Sequence, residues 1–196
     1  MGLELEYIEG QTPLDDDEKE GLRIQSITTR NELDEYEQLN IEKAFQWTIG
    51  KKWKAEYLLS EKFVKELHIR MFGEVWLWAG EFRKTNKNIG VDKYMIGISL
   101  KQLLDDSAYW LAYKTYSGDE IAIRIKHRIV QIHCFANGNG RHSRLMADII
   151  VEKIFGNPVF TWNIANLKSD VRMKYLQAIK AADTGNINPL LEFART

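Results

Sequence analysis

One stretch of the chain gathers the residues that could do chemistry: His133-Cys134-Phe135-Ala136-Asn137-Gly138-Asn139-Gly140-Arg141-His142-Ser143-Arg144. Gly138 and Gly140 let the backbone take positive φ and approach a ligand closely. Successive amides in such a turn form a concave anion nest. The helix that follows points its positive end at the same place. Arg141 and Arg144 share a face of that helix and add two cations where phosphates would sit. His133 ends the preceding helix and is placed to act as a general base. Asn137 offers a carbonyl oxygen, a weak ligand for Mg²⁺. Each part has an ordinary counterpart: Asn-Gly-Asn-Gly is turn material, and a histidine at a helix end often serves only the dipole. Their order and spacing taken together are harder to assign to turn chemistry.

The elements around this loop must hold it, and they read as helices. Thr12-Pro13 followed by Asp15, Asp16, Asp17 and Glu18 predicts a helix start. Thr29-Arg30-Asn31-Glu32 predicts a capping box opening a helix through Ile41, Phe45 and Trp47. Leu58 to Phe72 keeps the helical period, as do Leu100, Leu103, Leu104 and Ala108. Ile121, Ile125, Ile129 and Ile132 mark the helix before the loop, with Asp119 as its expected cap. Arg141 to Phe155 is the helix after it, stopped by Gly156 and Pro158. Ser169 to Ala182 and Leu190 to Phe193 complete the series. Phe82 to Ile98 breaks the period. Ile89, Val91, Tyr94 and Ile96 flank Asp92-Lys93, which predicts a short β-hairpin. The expected fold is all-α, a single helical domain with one small hairpin.

Bulk properties exclude several classes. The chain has 196 residues, 44% hydrophobic and 28% charged, which suits one globular domain. A net charge of −1 and no basic stripe argue against nucleic acid as a partner. Cys134 is the only cysteine, so neither an internal disulfide nor a cysteine-rich zinc site is available. No run reaches the apolar length of a membrane span, and the opening residues show no leader pattern. A cytoplasmic protein without a membrane partner is expected. There is no HExxH and no GxxxxGK[ST]. The six tryptophans read as core packing.

The loop resembles the signature of the Fic (Fic/Doc, Fido) family, H-x-F-x-[DE]-G-N-G-R-x-x-R, at His133, Phe135, Gly138, Asn139, Gly140, Arg141 and Arg144. Trp78-Ala79-Gly80-Glu81-Phe82-Arg83 is similar to the segment leading to that family's flap, and Tyr175 to Leu191 to its C-terminal helices. The resemblance implies a Fic domain over 29–196, with 1–28 an N-terminal extension packed on it. It implies a protein adenylyltransferase that moves AMP from ATP onto a Ser, Thr or Tyr hydroxyl of a protein target. His133 would take the hydroxyl's proton. Gly138, Asn139, Gly140, Arg141 and Arg144 would bind the phosphates, and Phe135 would anchor the loop in the core. The flap, 86–98, would dock the target through Ile89, Gly90 and Val91; a hairpin that only pads the surface is the alternative. Self-modification and a homo-oligomer also fall within what the resemblance implies.

Asn137 departs from the pattern, because the family places an acid there to hold Mg²⁺. The departure, shared with a subgroup labelled mobile mystery protein B, implies weaker Mg²⁺ binding, use of Mn²⁺, or a different donor. A Fic-fold enzyme moving another nucleotide or phosphate group is therefore the alternative, and a catalytically impaired binding module a third reading. Retained Gly140, where Doc-like relatives carry lysine, favours nucleotidyl over phosphoryl transfer. The family's inhibitory helix, [ST]-x-x-x-E-[GN], is resembled by Thr28 and Glu32 within 29–50, with Leu33 departing. It implies that Glu32 pairs with Arg144; the alternative is that Glu32 only closes its own capping box.

Overall fold

A computed structural model describes residues 12–162 and 169–196; the start of the expected N-terminal extension, before Thr12, lies outside them. In chain order the helices are α1 (Asp16–Lys19), α2 (Arg30–Thr48), α3 (Ala55–Leu58), α4 (Glu61–Phe72), α5 (Ile96–Tyr113), α6 (Gly118–Ile132), α7 (Asn139–Lys153), α8 (Ser169–Asp183) and α9 (Asn188–Arg195). Among the described residues there is no sheet, only an isolated bridge between Leu22 and Trp76. No helix among them is long and apolar enough to cross a membrane.

Local chemistry sets where these helices begin. Thr29 caps α2: its hydroxyl accepts the Glu32 N–H at 3.3 Å, and the Glu32 carboxylate accepts the Thr29 N–H at 3.0 Å. Ser60 caps α4 with its hydroxyl alone, which accepts the Phe63 N–H at 3.2 Å. Ser117, not Asp119, caps α6 through the Glu120 N–H. Asp119 instead takes the Arg195 guanidinium at 2.6 and 2.7 Å, tying α9 to α6. The first helix also starts later than the Thr12-Pro13 signal suggested. Asp15 stands at the N-cap of α1, and Glu18 accepts its N–H at 2.8 Å.

The core forms around α6 and α7, which pack along each other, with α5 and α9 against α6 and α4 against α7. The isoleucine stripe of α6, Ile121, Ile125, Ile129 and Ile132, is buried throughout. α2 lies on α4 through Leu33, Glu37, Asn40, Ala44 and Thr48, a stripe at helical spacing. Asn40 fastens that contact, donating to the Arg70 carbonyl at 2.9 Å and accepting the Glu74 N–H at 3.0 Å.

The expected hairpin is absent. Asp92, read as its turn, accepts the Tyr94 N–H at 2.9 Å and caps a 3₁₀ turn, Lys93–Met95, that runs straight into α5. Asn86 secures this shape, donating to Asp92 at 2.9 Å and accepting the Lys93 N–H at 2.8 Å. Ile89, Gly90 and Val91 thus lie on an irregular segment, not on paired strands.

Candidate active site

The signature loop crosses from the end of α6 to the start of α7, and each of its residues has a distinct mechanical task. His133 closes α6 in the left-handed conformation, φ 56°, with its N–H still bonded to the Ile129 carbonyl. Phe135 is fully buried, its ring 3.7 Å from that of His68. Asn139 clamps the Phe135 backbone from both sides, accepting its N–H at 2.9 Å and donating to its carbonyl at 2.8 Å. The Asn139 side chain is therefore a staple, and only its main chain is left to meet a phosphate. Gly138 has φ 77°, and a Cβ there would come within 2.6 Å of the Phe72 ring. Glycine is required twice over, by conformation and by space.

α7 starts at Asn139, so its first amides lack partners within the helix and point out of its N-terminus. A Cβ at Gly140 would meet nothing within 4 Å, which leaves open space beside those amides. Arg141 extends from the first turn and rests its guanidinium 5.0 Å from the Phe72 ring centre. Arg144, one turn on, stands 5.7 Å from the Tyr175 ring centre, and no carboxylate among the described residues forms an ion pair with it. Tyr175 is itself held by Lys126, whose ammonium donates to its hydroxyl at 2.5 Å. Burial, with Arg144 alongside, holds the Lys126 pKa well below the usual lysine range.

His133 is buried, and its pKa is pushed down to about 4. Burial is the main cause, followed by the nearby positive charge of Arg83; the Val130 backbone opposes the shift and Lys87 adds to it. The imidazole is thus neutral at ordinary pH, the state a general base needs. Arg83 also builds the site. Its Nε donates to the His133 carbonyl at 2.7 Å, one Nη to the Thr85 carbonyl at 2.7 Å and the other to the Val91 carbonyl. The expected docking segment is brought to the histidine by these bonds. A Cβ at Gly90 would lie 2.7 Å from the His133 Cβ, and the Val91 N–H reaches the Ile132 carbonyl at 3.3 Å.

His68 locks the loop from beneath. Its Nδ1 accepts the Gly80 N–H at 3.0 Å, so Nε2 carries the proton and donates to the Asn137 carbonyl at 3.1 Å. The main chain of residues 12–18 lies across the same site. The Thr12 hydroxyl is 3.1 Å from His133 Nε2, and the Thr12 carbonyl accepts the Asn137 amide at 3.2 Å. Lys87 holds the next residues, donating to the Pro13 carbonyl at 3.3 Å and pairing with Asp15 at 2.8 Å and Glu18 at 2.5 Å. Thr85 adds a hydrogen bond to Asp15 at 2.6 Å.

Two expected site residues do not take the roles expected of them. Glu32 is exposed and does not reach Arg144. Its carboxylate is taken up by the backbone N–H groups of Thr28 and Thr29, which hold its pKa below the usual range. The α2 acid that reaches the signature is Glu37, buried and more than one turn further on. One oxygen accepts the Trp76 indole N–H at 2.6 Å and the other pairs with Arg141 at 2.6 Å. Asn137 is also committed: its side-chain Oδ1 accepts the Gly138 N–H at 2.6 Å while its side-chain Nδ2 donates to the Thr12 carbonyl. The charged neighbours of His133 are Arg83 and Lys87, and no cluster of three or more His, Cys, Asp or Glu suited to a metal occurs among the described residues. The residues present do not fit a Mg²⁺ seat.

Sequence reading did not find Thr12, Glu37, His68, Lys87 or Lys126 as site residues. Lys126 alone carried a visible signal, a lysine within the apolar stretch of α6. The rest depend on which segments fold against the loop.

Residues 58–151 match the family model described as Fic/DOC family. The protein adenylyltransferase Fic of Aedes aegypti is 28% identical over 136 residues, 67% of this chain and 26% of that protein. The chain thus matches only a minor part of the length of the curated relative. Among solved structures, Fic-1 (residues 134–508) from C. elegans has a TM-score of 0.64 at 22% identity, covering 83% of this chain and 48% of that one. BepC from Bartonella tribocorum, solved with bound AMPPNP, has a TM-score of 0.69 at 18% identity, covering 96% and 93%. At these identities the structures establish a shared fold.

Proposed function

We propose that this chain, whose residues 58–151 match the Fic/DOC family model, is a protein adenylyltransferase that moves AMP from ATP onto a protein hydroxyl. The observation that carries this reading is a neutral histidine, pKa about 4, held at the mouth of a helix N-terminus with arginines on its first turns. The hydroxyl proton passes to His133 Nε2, and the oxygen attacks the α-phosphorus. The bond to the pyrophosphate oxygen breaks on the opposite side. The amides at the start of α7, with Arg141 and Arg144, balance the negative charge on the phosphates. The open space at Gly140 gives those phosphates room. A curated relative named as an adenylyltransferase and a neighbour solved with AMPPNP support the choice of donor.

The site is restrained in this form. Arg141 cannot serve an outer phosphate fully while paired with Glu37, so the inhibitory role assigned to Glu32 passes to Glu37. Transfer of another nucleotide or phosphate-linked group is the second reading, favoured by Asn137, which leaves the loop without a carboxylate for a metal. Label transfer from ATP marked at the α- or the γ-phosphate separates the two. α-Label on protein, lost in His133→Ala, is the expected result; γ-label on protein overturns adenylyl transfer.

A further inference from the structure

Resting on that reading, we propose that Thr12 of this same chain is an acceptor hydroxyl, so that the enzyme adenylylates its own N-terminal segment. The Thr12 oxygen is 3.1 Å from His133 Nε2, within direct proton-transfer distance of the base. Thr12 is buried, 7% exposed. The segment is gripped as a substrate strand would be, on backbone as well as side chains. Asn137 donates to the Thr12 carbonyl, Lys87 donates to the Pro13 carbonyl, and Thr85 and Lys87 hold Asp15. The Thr85 carbonyl accepts from Arg83, which also holds the His133 carbonyl, and Lys87 lies in the 86–98 stretch expected to dock a target.

Asn137 acquires a role in this arrangement. A carboxylate there could accept the Gly138 N–H but could not donate to the Thr12 carbonyl, and would face that oxygen with like charge. The amide does both, so the departure from the family pattern is what seats the segment.

The step balances without any further reagent. His133 Nε2 takes the Thr12 proton, a Thr12 Oγ1–P bond forms to the α-phosphorus of ATP, the bond to pyrophosphate breaks, and pyrophosphate leaves. The product is a Thr12 phosphodiester of AMP.

The test incubates the full chain, wild type and Glu37→Gln, with ATP labelled at the α-phosphate and locates the label by peptide mapping. Beside them run Thr12→Val, Thr12→Ser and His133→Ala, each checked for native helicity. The proposal expects label at Thr12, retained in Thr12→Ser and lost in Thr12→Val and His133→Ala. Its rate per molecule should not depend on protein concentration, as befits an intramolecular reaction. Label at another residue, unchanged in Thr12→Val, overturns the Thr12 assignment and leaves adenylyl transfer standing. Thr12→Val that modifies added protein faster, with no label at Thr12 in the wild type, makes the segment an inert plug and also overturns it. No α-label in any variant, on this chain or on added protein, overturns the assignment and the adenylyltransferase reading together.

Discussion

His133 needs its proton-free form to act, and the burial that lowers its pKa to about 4 fixes where activity should fail. Because the folded pKa lies below the usual 6.5, the base stays available as pH falls through the ordinary histidine range. Transfer at saturating ATP should hold its rate down to roughly pH 5 and lose about tenfold per unit below about pH 4. A midpoint near 6.5 in the pH–rate profile would mean that a different group, or an exposed His133, is the base. Glu37 and Glu32 make a second contrast at this scale. Glu37→Gln removes the charge that holds Arg141 while keeping an acceptor for the Trp76 indole. It should raise the transfer rate and lower stability by roughly 1–3 kcal/mol. Glu32→Gln touches only an exposed helix cap and should leave the rate unchanged. Initial rates and urea midpoints on the two variants check both statements.

Among elements, the junction of α6 and α7 is where small changes should matter most. Asn139→Ala strands the Phe135 N–H and carbonyl in a buried site, for a cost of about 2–4 kcal/mol in a denaturation midpoint. Gly138→Ala combines left-handed strain with a clash on Phe72. It should lower both stability and transfer, since the loop can relieve the clash only by moving the amides that meet the phosphate. Much at this scale was legible from residue order. The Thr29 capping box, the isoleucine stripe of α6 and the histidine-to-glycine loop all follow local rules that the fold keeps. The hairpin was misread because Asp92 can end a turn or cap a helix, and the Asn86 bonds that decide between them come from outside the pattern. Glu37 was missed for a related reason. The buried face of α2 carries Glu37, Asn40 and Thr48, polar residues that periodicity assigns to solvent, whereas Phe45 on the same helix is 48% exposed. The partners of Glu37 and Asn40, namely Trp76, Arg141 and Arg70 far along the chain, make that face an interior one. Thr12 read as a helix cap because its partner His133 is 121 residues away.

The molecule as a whole keeps its four histidines, His68, His127, His133 and His142, below their ordinary pKa, chiefly by burial. The sign follows from proton counts. Between pH 6.5 and about 4 the unfolded chain binds protons that the folded one refuses, so stability is full above 6.5 and falls as pH drops. Asp148 works in the opposite direction, its pKa raised to about 6 by burial, so protonating it relieves part of the loss. Counting His133 and His142 against Asp148, stability should fall by roughly 2 kcal/mol from pH 7 to pH 5. Urea unfolding at the two pH values measures it, and a higher midpoint at pH 5 would contradict the burial of these rings. The proposed reaction has one central claim, that His133 directs a hydroxyl to the α-phosphorus of a nucleotide while Glu37 restrains Arg141. The most direct measurement is the initial rate of α-phosphate label transfer by Glu37→Gln, compared with wild type and with Glu37→Gln/His133→Ala. A rate that rises above wild type and vanishes in the double variant is the predicted result. Label that persists without His133, or arrives from the γ-phosphate, would contradict it.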